Sequence, residues 1–152
     1  MKSRPTATQD PLALERQVCF ALSIASRTVL SVYRPVLEPL GLTHPQYLVM
    51  LALWGQSPLS VKALGTLLHL DSPTLSPLLK RLEAAGYVTR SRSAADERVL
   101  EVALTPAGRK LRDKAEKIPG TIAGKLGMSF DELAELHASL TKVISAATAA
   151  VQ

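Results

Sequence analysis

A stretch near the middle of the chain, residues 60–98, constrains the fold more than any other. It reads SVKALGTLLHLDSPTLSPLLKRLEAAGYVTRSRSAADER. The apolar run over 61–68 predicts a short helix, and the two residues after it predict a turn. Either Asp71 or Ser72 then caps a second helix, in which Pro73 takes the first position, where its missing N–H costs nothing. The predicted framework is therefore two helices joined by a tight turn.

The second predicted helix has two chemically different faces. Its leucines recur at i, i+3, i+4 and i+7, so they share one face that packs inward: Leu75, Leu78, Leu79 and Leu82. The opposite face carries small, hydroxylated or basic residues, namely Thr74, Pro77, Lys80, Arg81 and Ala84. Gly86 is suited to the position just past the helix end.

A hairpin with a basic tip is predicted directly after this helix. Residues 87–91 read as one strand, SRSAADER as a polar tip, and residues 99–104 as the returning strand. Arg90, Arg92 and Arg98 make the hairpin basic. This order is the pattern of a winged helix-turn-helix, whose second helix enters a DNA major groove while the hairpin reaches an adjacent minor groove. A small α/β core with solvated charges is the alternative, and the joint order of the parts favours DNA binding.

Charge and composition fit a nucleic-acid partner. The chain has 152 residues, which suits one domain, and 47% of them are hydrophobic, which suffices for a core. The formal net charge is +5, and residues 61–114 hold ten Lys/Arg against six Asp/Glu. Most of the surplus therefore lies in and just after the helix-turn-helix region, where it suits a polyphosphate.

No targeting or membrane segment is predicted. Lys2 and Arg4 are not followed by the apolar stretch of a signal peptide. The longest apolar run, 47–54, is too short to span a bilayer. We therefore expect a cytoplasmic protein with no membrane partner.

A long helix is predicted before the central unit. Residues 1–9 are polar, and we expect them to be loose. Asp10 as N-cap and Pro11 at the first position open a helix. It runs to about residue 33 or 34, since Pro35 ends or kinks it.

Further helix starts carry capping signals. Thr43 and Gln46 form a capping box before an apolar helix over 45–56, which should be buried. Thr105 caps a strongly basic helix after the hairpin, and the Pro-Gly step at 119–120 kinks or breaks it.

Ser129 and Glu132 form a second capping box, which opens the last helix. The terminal helices, at about 11–40 and 106–150, carry more apolar surface than a winged unit over about 45–105 could cover. We therefore predict one mainly α domain with a small β-hairpin wing, which forms a homodimer through its N- and C-terminal helices. A two-fold dimer places two recognition helices in successive major grooves, which suits a pseudo-palindromic operator.

Catalytic and metal-binding motifs are missing from the sequence. It has no nucleophile elbow, Walker A loop or dinucleotide fingerprint. His44, His69 and His137 lie in separate elements without ligand-like spacing, and Cys19 is the only thiol. We therefore expect no metal site and no cofactor.

Cys19 is the single candidate for chemistry, and as the only cysteine it forms no intrachain disulfide. A lone cysteine on an apolar helix is more often inert packing. It lies too deep in the predicted helix to gain from the N-terminal dipole, so a reactive thiol needs a donor or cation from elsewhere. Tyr33 lies fourteen residues along the same helix, about 21 Å away. The two could meet only across an antiparallel dimer of these helices.

Four segments carry a family resemblance: QVCFAL around Cys19, YRPVLEPLGLTHPQYLVMLALW at 33–54, LDSPTLSPLLKRLEAAG at 70–86 and RSRSAADERVLEVALTPAG at 90–108. In them the sequence resembles the MarR family of bacterial winged-helix repressors, and specifically its organic-hydroperoxide-sensing branch. The similarity extends from Leu12 to the last helix. The combination is specific, whereas the Asp-Glu-Arg wing alone would indicate only the wider family.

The resemblance implies roles for matched residues. Cys19 matches the peroxidatic cysteine, which organic hydroperoxides oxidise to a sulfenic acid. Tyr33 matches a tyrosine that hydrogen-bonds this thiolate from the partner subunit. Asp96 and Arg98 match the wing pair, in which the arginine enters the minor groove and the aspartate holds it. The expected DNA-binding residues are Asp71, Ser72, Thr74, Ser76, Pro77, Lys80 and Arg81 on the recognition helix, and Arg90, Arg92, Asp96 and Arg98 on the wing.

The sequence departs from the family pattern at two places. His44 stands where the family usually has a second tyrosine, so a histidine either replaces that donor or supplies a cation. Residues 123–125 read Ala-Gly-Lys, where members with an intersubunit disulfide carry another cysteine. The chain therefore resembles the one-cysteine type, whose sulfenic acid is capped by a small cellular thiol or overoxidised.

Together these features predict a homodimeric repressor, not an enzyme, that leaves its DNA operator when an organic hydroperoxide oxidises Cys19. One alternative is a MarR-type repressor released by a phenolic or other small ligand, with Cys19 merely structural. A thiol peroxidase is a further alternative, but its turnover needs a resolving thiol that this chain lacks.

Overall fold

The computed structural model describes residues 10–152, so the expectation for residues 1–9 lies outside the described residues. The described part forms seven α-helices and a three-stranded sheet. The helices are α1 (Val18–Leu37), α2 (His44–Gly55), α3 (Val61–Leu68), α4 (Ser72–Ala84), α5 (Pro106–Ala115), α6 (Ile118–Leu126) and α7 (Phe130–Ala150). The strands are β1 (Leu59–Ser60), β2 (Val88–Arg92) and β3 (Leu100–Leu104). Within the described range no helix has the length and apolarity that crossing a membrane requires.

The predicted winged helix-turn-helix is confirmed, with one addition to the wing. β2 and β3 form the expected antiparallel hairpin, in which Val88 pairs with Leu104 and Arg92 with Leu100. A third strand, β1, pairs with β3 through Leu59 and Val102, so the sheet order is β1-β3-β2. The sequence did not indicate β1, because two residues are too short to show an alternating pattern.

The turn between α3 and α4 depends on a close approach of the backbone. A Cβ added to Gly65 would lie 2.7 Å from the carbonyl oxygen of Leu70, so a larger residue would force the turn open. Asp71 is the N-cap of α4, and its side chain accepts a hydrogen bond from the third residue after it. Because the helix begins at Ser72, Pro73 takes the second helical position and not the predicted first one.

The hydrophobic core lies between α2, α3, α4 and the sheet. The leucine face of α4 is buried as predicted. The expected burial of α2 holds for one face only, since five of its twelve residues are buried and Leu51 is 44% exposed. The largest fully buried side chains are Leu37, Met50, Leu53, Leu64, Leu75, Leu79, Leu82, Val49, Val88 and Val102. Burying such side chains stabilises the fold by about 1.5–3 kcal/mol each. The core therefore fixes α4 by one face and leaves its polar face outward.

The predicted bounds of the first helix are wrong at both ends. Asp10 caps only a local turn, since its carboxylate accepts from the backbone N–H of Leu12. The regular helix begins at Val18, after a short 3-10 turn. Pro35 does not end it, because α1 continues to Leu37 before a second 3-10 turn. A proline in the last helical turn removes a single backbone hydrogen bond, which the helix tolerates there.

The other capping predictions are confirmed. Thr43 with Gln46 and Ser129 with Glu132 form capping boxes. The predicted break at 119–120 lies slightly earlier, because α5 ends at residue 115 and the proline falls in the first turn of α6, where its missing N–H costs nothing.

Hydrogen bonds fasten the winged unit to the helices outside it. The Tyr87 hydroxyl, just beyond α4, donates to the carbonyl oxygen of Leu40 at 3.3 Å. The Thr105 hydroxyl donates to the carbonyl oxygen of Gly86 at 2.6 Å, and it also accepts from the N–H of Gly108 at the start of α5. The end of α4 is thus tied both to the segment after α1 and to α5.

Candidate nucleic-acid interface and cysteine site

The exposed face of α4 presents donors suited to DNA. Its exposed residues include every helix position that the sequence assigned to DNA: Ser72, Thr74, Ser76, Pro77, Lys80 and Arg81. Asp71 is exposed as well, but its carboxylate accepts from the Thr74 N–H at 2.9 Å. That hydrogen bond holds the pKa of Asp71 below its ordinary value. Asp71 thus serves to begin the helix, and hydroxyl and basic groups follow along the outer face.

The wing tip holds an arginine in place. Asp96 Oδ1 accepts from Arg98 Nε at 3.1 Å and from the Arg98 backbone N–H at 3.1 Å, while Asp96 Oδ2 accepts from Arg98 Nη2 at 3.3 Å. These hydrogen bonds lower the pKa of Asp96 below its ordinary value. The Arg98 side chain remains 91% exposed. An arginine presented in this way is suited to a narrow minor groove, whose negative potential attracts it.

Arg90 lies apart from the other basic residues of the wing. The sequence grouped it with Arg92 and Arg98, and those two side chains are exposed. The guanidinium of Arg90 instead pairs with Glu83 at the end of α4, and its side chain is only 22% exposed. Sequence reasoning missed Glu83, because a contact seven residues away between a helix end and a strand follows no helical or strand spacing.

Cys19 is exposed as the second residue of α1, so a reagent can reach its sulfur. The prediction that it lies too deep in the helix to gain from the N-terminal dipole is wrong, because α1 begins at Val18 and Cys19 falls in its first turn. Tyr33 lies fourteen residues along the same helix, about 21 Å away. The structure therefore does not bring these two predicted site residues together within one chain.

Tyr33 belongs to an aromatic cluster with His44 and Tyr47. The Tyr33 and His44 ring centroids are 5.0 Å apart in an edge-on arrangement. Tyr47 lies 6.1 Å from Tyr33 and 6.2 Å from His44. The structure thus joins two of the three predicted redox residues and adds Tyr47. The sequence signal for Tyr47 was its position three residues after His44, because residues three apart on a helix share a face.

The cluster favours uncharged side chains. Burial lowers the pKa of His44 and raises the pKa of Tyr33. Burial, and then the neighbouring Tyr33, raise the pKa of Tyr47. At neutral pH the two hydroxyls keep their protons and His44 is neutral, with one N–H to donate. Of the two roles left open for His44, the hydrogen-bond donor therefore fits better than the cation.

The lowered His44 pKa predicts a pH-dependent stability. Between its folded pKa and its ordinary value of 6.5, the unfolded chain binds a proton that the folded chain does not. Stability is therefore fully present above about pH 6.5 and is lost as pH falls through the folded pKa. His44→Gln should reduce the loss of unfolding free energy at low pH, as measured by urea unfolding from pH 5 to 8. His137→Gln, on the exposed face of α7, is the matched control, and equal slopes for wild type and His44→Gln would contradict the assignment.

A wide apolar groove runs between α1, α6 and α7. Its volume is about 800 Å³, and its lining includes Val18, Leu22, Val29, Ile122, Phe130 and Leu136. α7 buries none of its residues, and α1 also exposes Phe20 and Ile24. Among residues 10–152 no cluster of three or more His, Cys, Asp or Glu side chains is placed to hold a metal ion.

Comparison with known proteins places the chain in a family. The sequence model described as "Transcriptional regulator SarA/Rot" matches residues 31–115. The chain is 46% identical over 131 residues to the organic hydroperoxide resistance transcriptional regulator of Bacillus subtilis, covering 86% of this chain and 89% of that protein.

Solved structures agree with this placement. Reduced AbfR bound to DNA, from a protein of Staphylococcus epidermidis, matches with a TM-score of 0.81 and 32% identity over 95% of this chain and 99% of that one. Overoxidised AbfR bound to DNA matches with a TM-score of 0.72 and 33% identity over 91% and 97%. The chain therefore belongs to the MarR family of winged helix-turn-helix transcriptional regulators, in its organic hydroperoxide resistance branch, and with Cys19 alone it is a one-cysteine member.

Proposed function

We propose that this protein is a homodimeric repressor that binds a pseudo-palindromic DNA operator and leaves it when an organic hydroperoxide oxidises Cys19. One observation carries the proposal. The only cysteine of the chain is exposed near the start of a helix that also leaves Val18, Phe20, Ile24 and Leu30 exposed. A second copy can cover these side chains and complete a site around the thiol.

The exposed faces of α1 and α7 support a two-fold dimer. Pairing the groove-lining faces of two copies buries apolar side chains of both helices at once. An antiparallel arrangement of the α1 helices brings Cys19 of one copy to the Tyr33–His44 cluster of the other. The Tyr33 hydroxyl and the His44 N–H are then the donors that stabilise the thiolate.

The proposed reaction takes place at the sulfur of Cys19. The thiolate attacks the outer oxygen of the hydroperoxide, the O–O bond breaks, and the alkoxide takes a proton to leave as an alcohol. Cysteine is oxidised to the sulfenic acid. A small cellular thiol then displaces water from the sulfenic acid to give a mixed disulfide. The sulfur changes from a hydrogen-bond acceptor into a bulkier group, which breaks its contacts with the partner's cluster.

DNA binding uses the outer face of α4 and the wing tip. We assign α4 to the major groove and Arg98 to the adjacent minor groove. The exposed hydroxyl and basic residues of α4 supply base and phosphate contacts. Two copies present two such units, which matches an operator with two half-sites.

Lys80 is assigned to a phosphate contact, because its flexible ammonium lies on the exposed face of α4. Lys80→Ala should weaken binding about equally on operator and unrelated DNA, and should reduce the slope of log K against log salt by about one. Fluorescence polarisation at four salt concentrations measures both. An unchanged slope would remove Lys80 from the phosphate contacts.

The function is tested by titrating the reduced protein with an organic hydroperoxide while it is bound to DNA from upstream of its own gene. About one equivalent per subunit should release the DNA. A peroxidase would keep consuming hydroperoxide, and a ligand-released repressor would ignore it. The titration is run with and without a small thiol, because an overoxidised relative is bound to DNA in its crystal structure.

A further inference from the structure

Glu83 joins the end of α4 to the base of the wing by two separate hydrogen bonds. Its Oε1 accepts from Arg90 Nη2 at 3.1 Å, and its Oε2 accepts from the Arg90 backbone N–H at 3.1 Å. Glu83 lies in the last turn of α4, and Arg90 is the third residue of β2. The Glu83 carboxylate therefore accepts hydrogen bonds from both the backbone and the side chain of Arg90.

The chain between these two residues is anchored near the turn, because the Gly86 carbonyl oxygen accepts from the Thr105 hydroxyl at 2.6 Å and Val88 is buried. α4 ends at Ala84, and Gly86 has a φ of +83°, a left-handed conformation that closes the helix. The turn itself is held by backbone bonds from Gly86 N to Glu83 O and from Tyr87 N to Leu82 O, both 3.0 Å. These bonds order the turn, but neither reaches beyond it into β2. Among the hydrogen bonds of the described residues, those from Arg90 to Glu83 are the ones that join α4 to β2.

The Arg90 side chain is turned toward the protein, unlike that of Arg98 at the wing tip. Its side chain is 22% exposed, whereas that of Arg98 is 91% exposed. The Nε atom of Arg90 is buried without a hydrogen-bond partner among the described residues. Because this guanidinium is largely buried and donates from Nη2 to Glu83, it is poorly placed to reach a DNA phosphate. Arg90 therefore differs in kind from the basic residues that face solvent.

We propose that Glu83 and Arg90 are positioning residues for DNA binding, which fix the angle between the recognition helix α4 and the wing. This inference rests on the proposed DNA-binding function. The recognition helix and the wing must enter neighbouring grooves together, and contact groups need supports that hold them within about 0.5 Å and 10–20°. Without the contact, Gly86 and Val88 stay anchored, but the strand from Arg90 to the wing tip loses its hydrogen bonds to the end of α4 and can shift relative to that helix.

Glu83→Ala distinguishes a positioning role from a simple effect of charge, because the two predict opposite changes in DNA affinity. Removing a negative charge beside polyanionic DNA should tighten binding if charge alone matters. If Glu83 positions the wing, Glu83→Ala should weaken operator binding by about five- to tenfold, a loss comparable to one good base contact. Glu97→Gln removes an exposed acid at the wing tip, and it is the control for charge alone.

Arg90→Gln should weaken operator binding to a similar extent and leave the salt slope unchanged, because we expect a guanidinium held by Glu83 to make no phosphate contact. Lys80→Ala in the same assay shows the fall in slope of about one that a lost phosphate contact produces. The exchanged double variant Glu83→Arg/Arg90→Glu should recover part of the lost affinity, because it restores the side-chain pair but not the hydrogen bond from the backbone N–H of residue 90. Hydroxyl-radical footprinting should show weaker minor-groove protection under the wing in the single variants, while protection under α4 persists.

The outcomes are distinct. Binding by Glu83→Ala as tight as wild type or tighter overturns the positioning role, and so does a fall of about one in the salt slope of Arg90→Gln. Circular dichroism and urea midpoints report whether each variant folds. If Glu83→Ala does not fold, then Glu83→Gln and the exchanged pair decide the question. A wild-type protein that binds no DNA refutes the proposed function itself, and the positioning role falls with it.

Discussion

Cys19→Ser protein should bind its operator like wild type and stay bound in organic hydroperoxide that releases the wild-type protein completely. Serine is close to cysteine in size and keeps a polar group at this exposed position, so the terminal helices still pair. It cannot form a sulfenic acid, so no oxidised product displaces it from the partner's cluster. Electrophoretic mobility shift with increasing hydroperoxide, in the presence of a small thiol, measures the difference. If Cys19→Ser protein still leaves the DNA, the sensor lies elsewhere and the ligand-released alternative gains support.

Mixing subunits tests whether the site is built across the dimer. Tyr33→Phe protein should bind DNA but react slowly, because the thiolate loses a hydroxyl donor. A mixed dimer of one Cys19→Ser subunit and one Tyr33→Phe subunit holds one complete site, since the intact Cys19 meets the intact Tyr33 of the other copy. Trapping of the sulfenic acid, followed by mass spectrometry, should therefore show wild-type rates in mixed dimers. A slow rate there would place Cys19 and Tyr33 in separate sites.

The structure suggests how a change at α1 reaches the DNA-binding unit. Tyr33 lies near the end of α1, and the segment after that helix holds the Leu40 carbonyl that accepts from the Tyr87 hydroxyl. Tyr87 in turn follows α4 by three residues. A displacement of the end of α1 therefore has a direct route to the end of the recognition helix. In a dimer the same displacement changes the distance between two recognition helices, which must match one helical turn of DNA.

Features that depend on neighbouring residues were predicted well. The capping boxes at Thr43 and Ser129 and the leucine face of α4 follow from spacings of three and four residues. The start of α1 was misplaced, because an aspartate before a proline caps a tight turn as readily as a helix. The sequence offered no means of telling these two outcomes apart at Asp10.

Features that depend on distant packing were missed. Arg90 and Arg92 are two residues apart on β2, so their side chains leave the same face of the strand. Only the packing of β2 against α4 puts Arg90 within reach of Glu83. The contact of Tyr33 with His44 and Tyr47 likewise needs the packing of α1 on α2, although the three-residue spacing of His44 and Tyr47 places those two on one face of α2. The site around Cys19 was anticipated only through the family resemblance, since in the proposed dimer its two halves belong to different copies of the chain.

Arg98 at the wing tip is expected to contribute strongly to operator binding. Arg98→Ala should weaken operator binding by about tenfold or more at fixed salt, the scale of one lost specific contact. The fold should be unaffected, because the Arg98 side chain is 91% exposed and its hydrogen bonds run to Asp96. Lys125→Ala, which removes an exposed charge from α6, is the control for net charge.

Asp96→Ala separates the charge of Arg98 from its orientation. This variant keeps the arginine but frees it from the carboxylate that holds Nε and Nη2. Because net positive charge rises, charge alone predicts tighter binding. If the minor groove requires an arginine held in one direction, Asp96→Ala should instead bind more weakly than wild type and more tightly than Arg98→Ala. Fluorescence polarisation on the operator ranks the three proteins, and wild-type affinity for Arg98→Ala would exclude the wing tip from the interface.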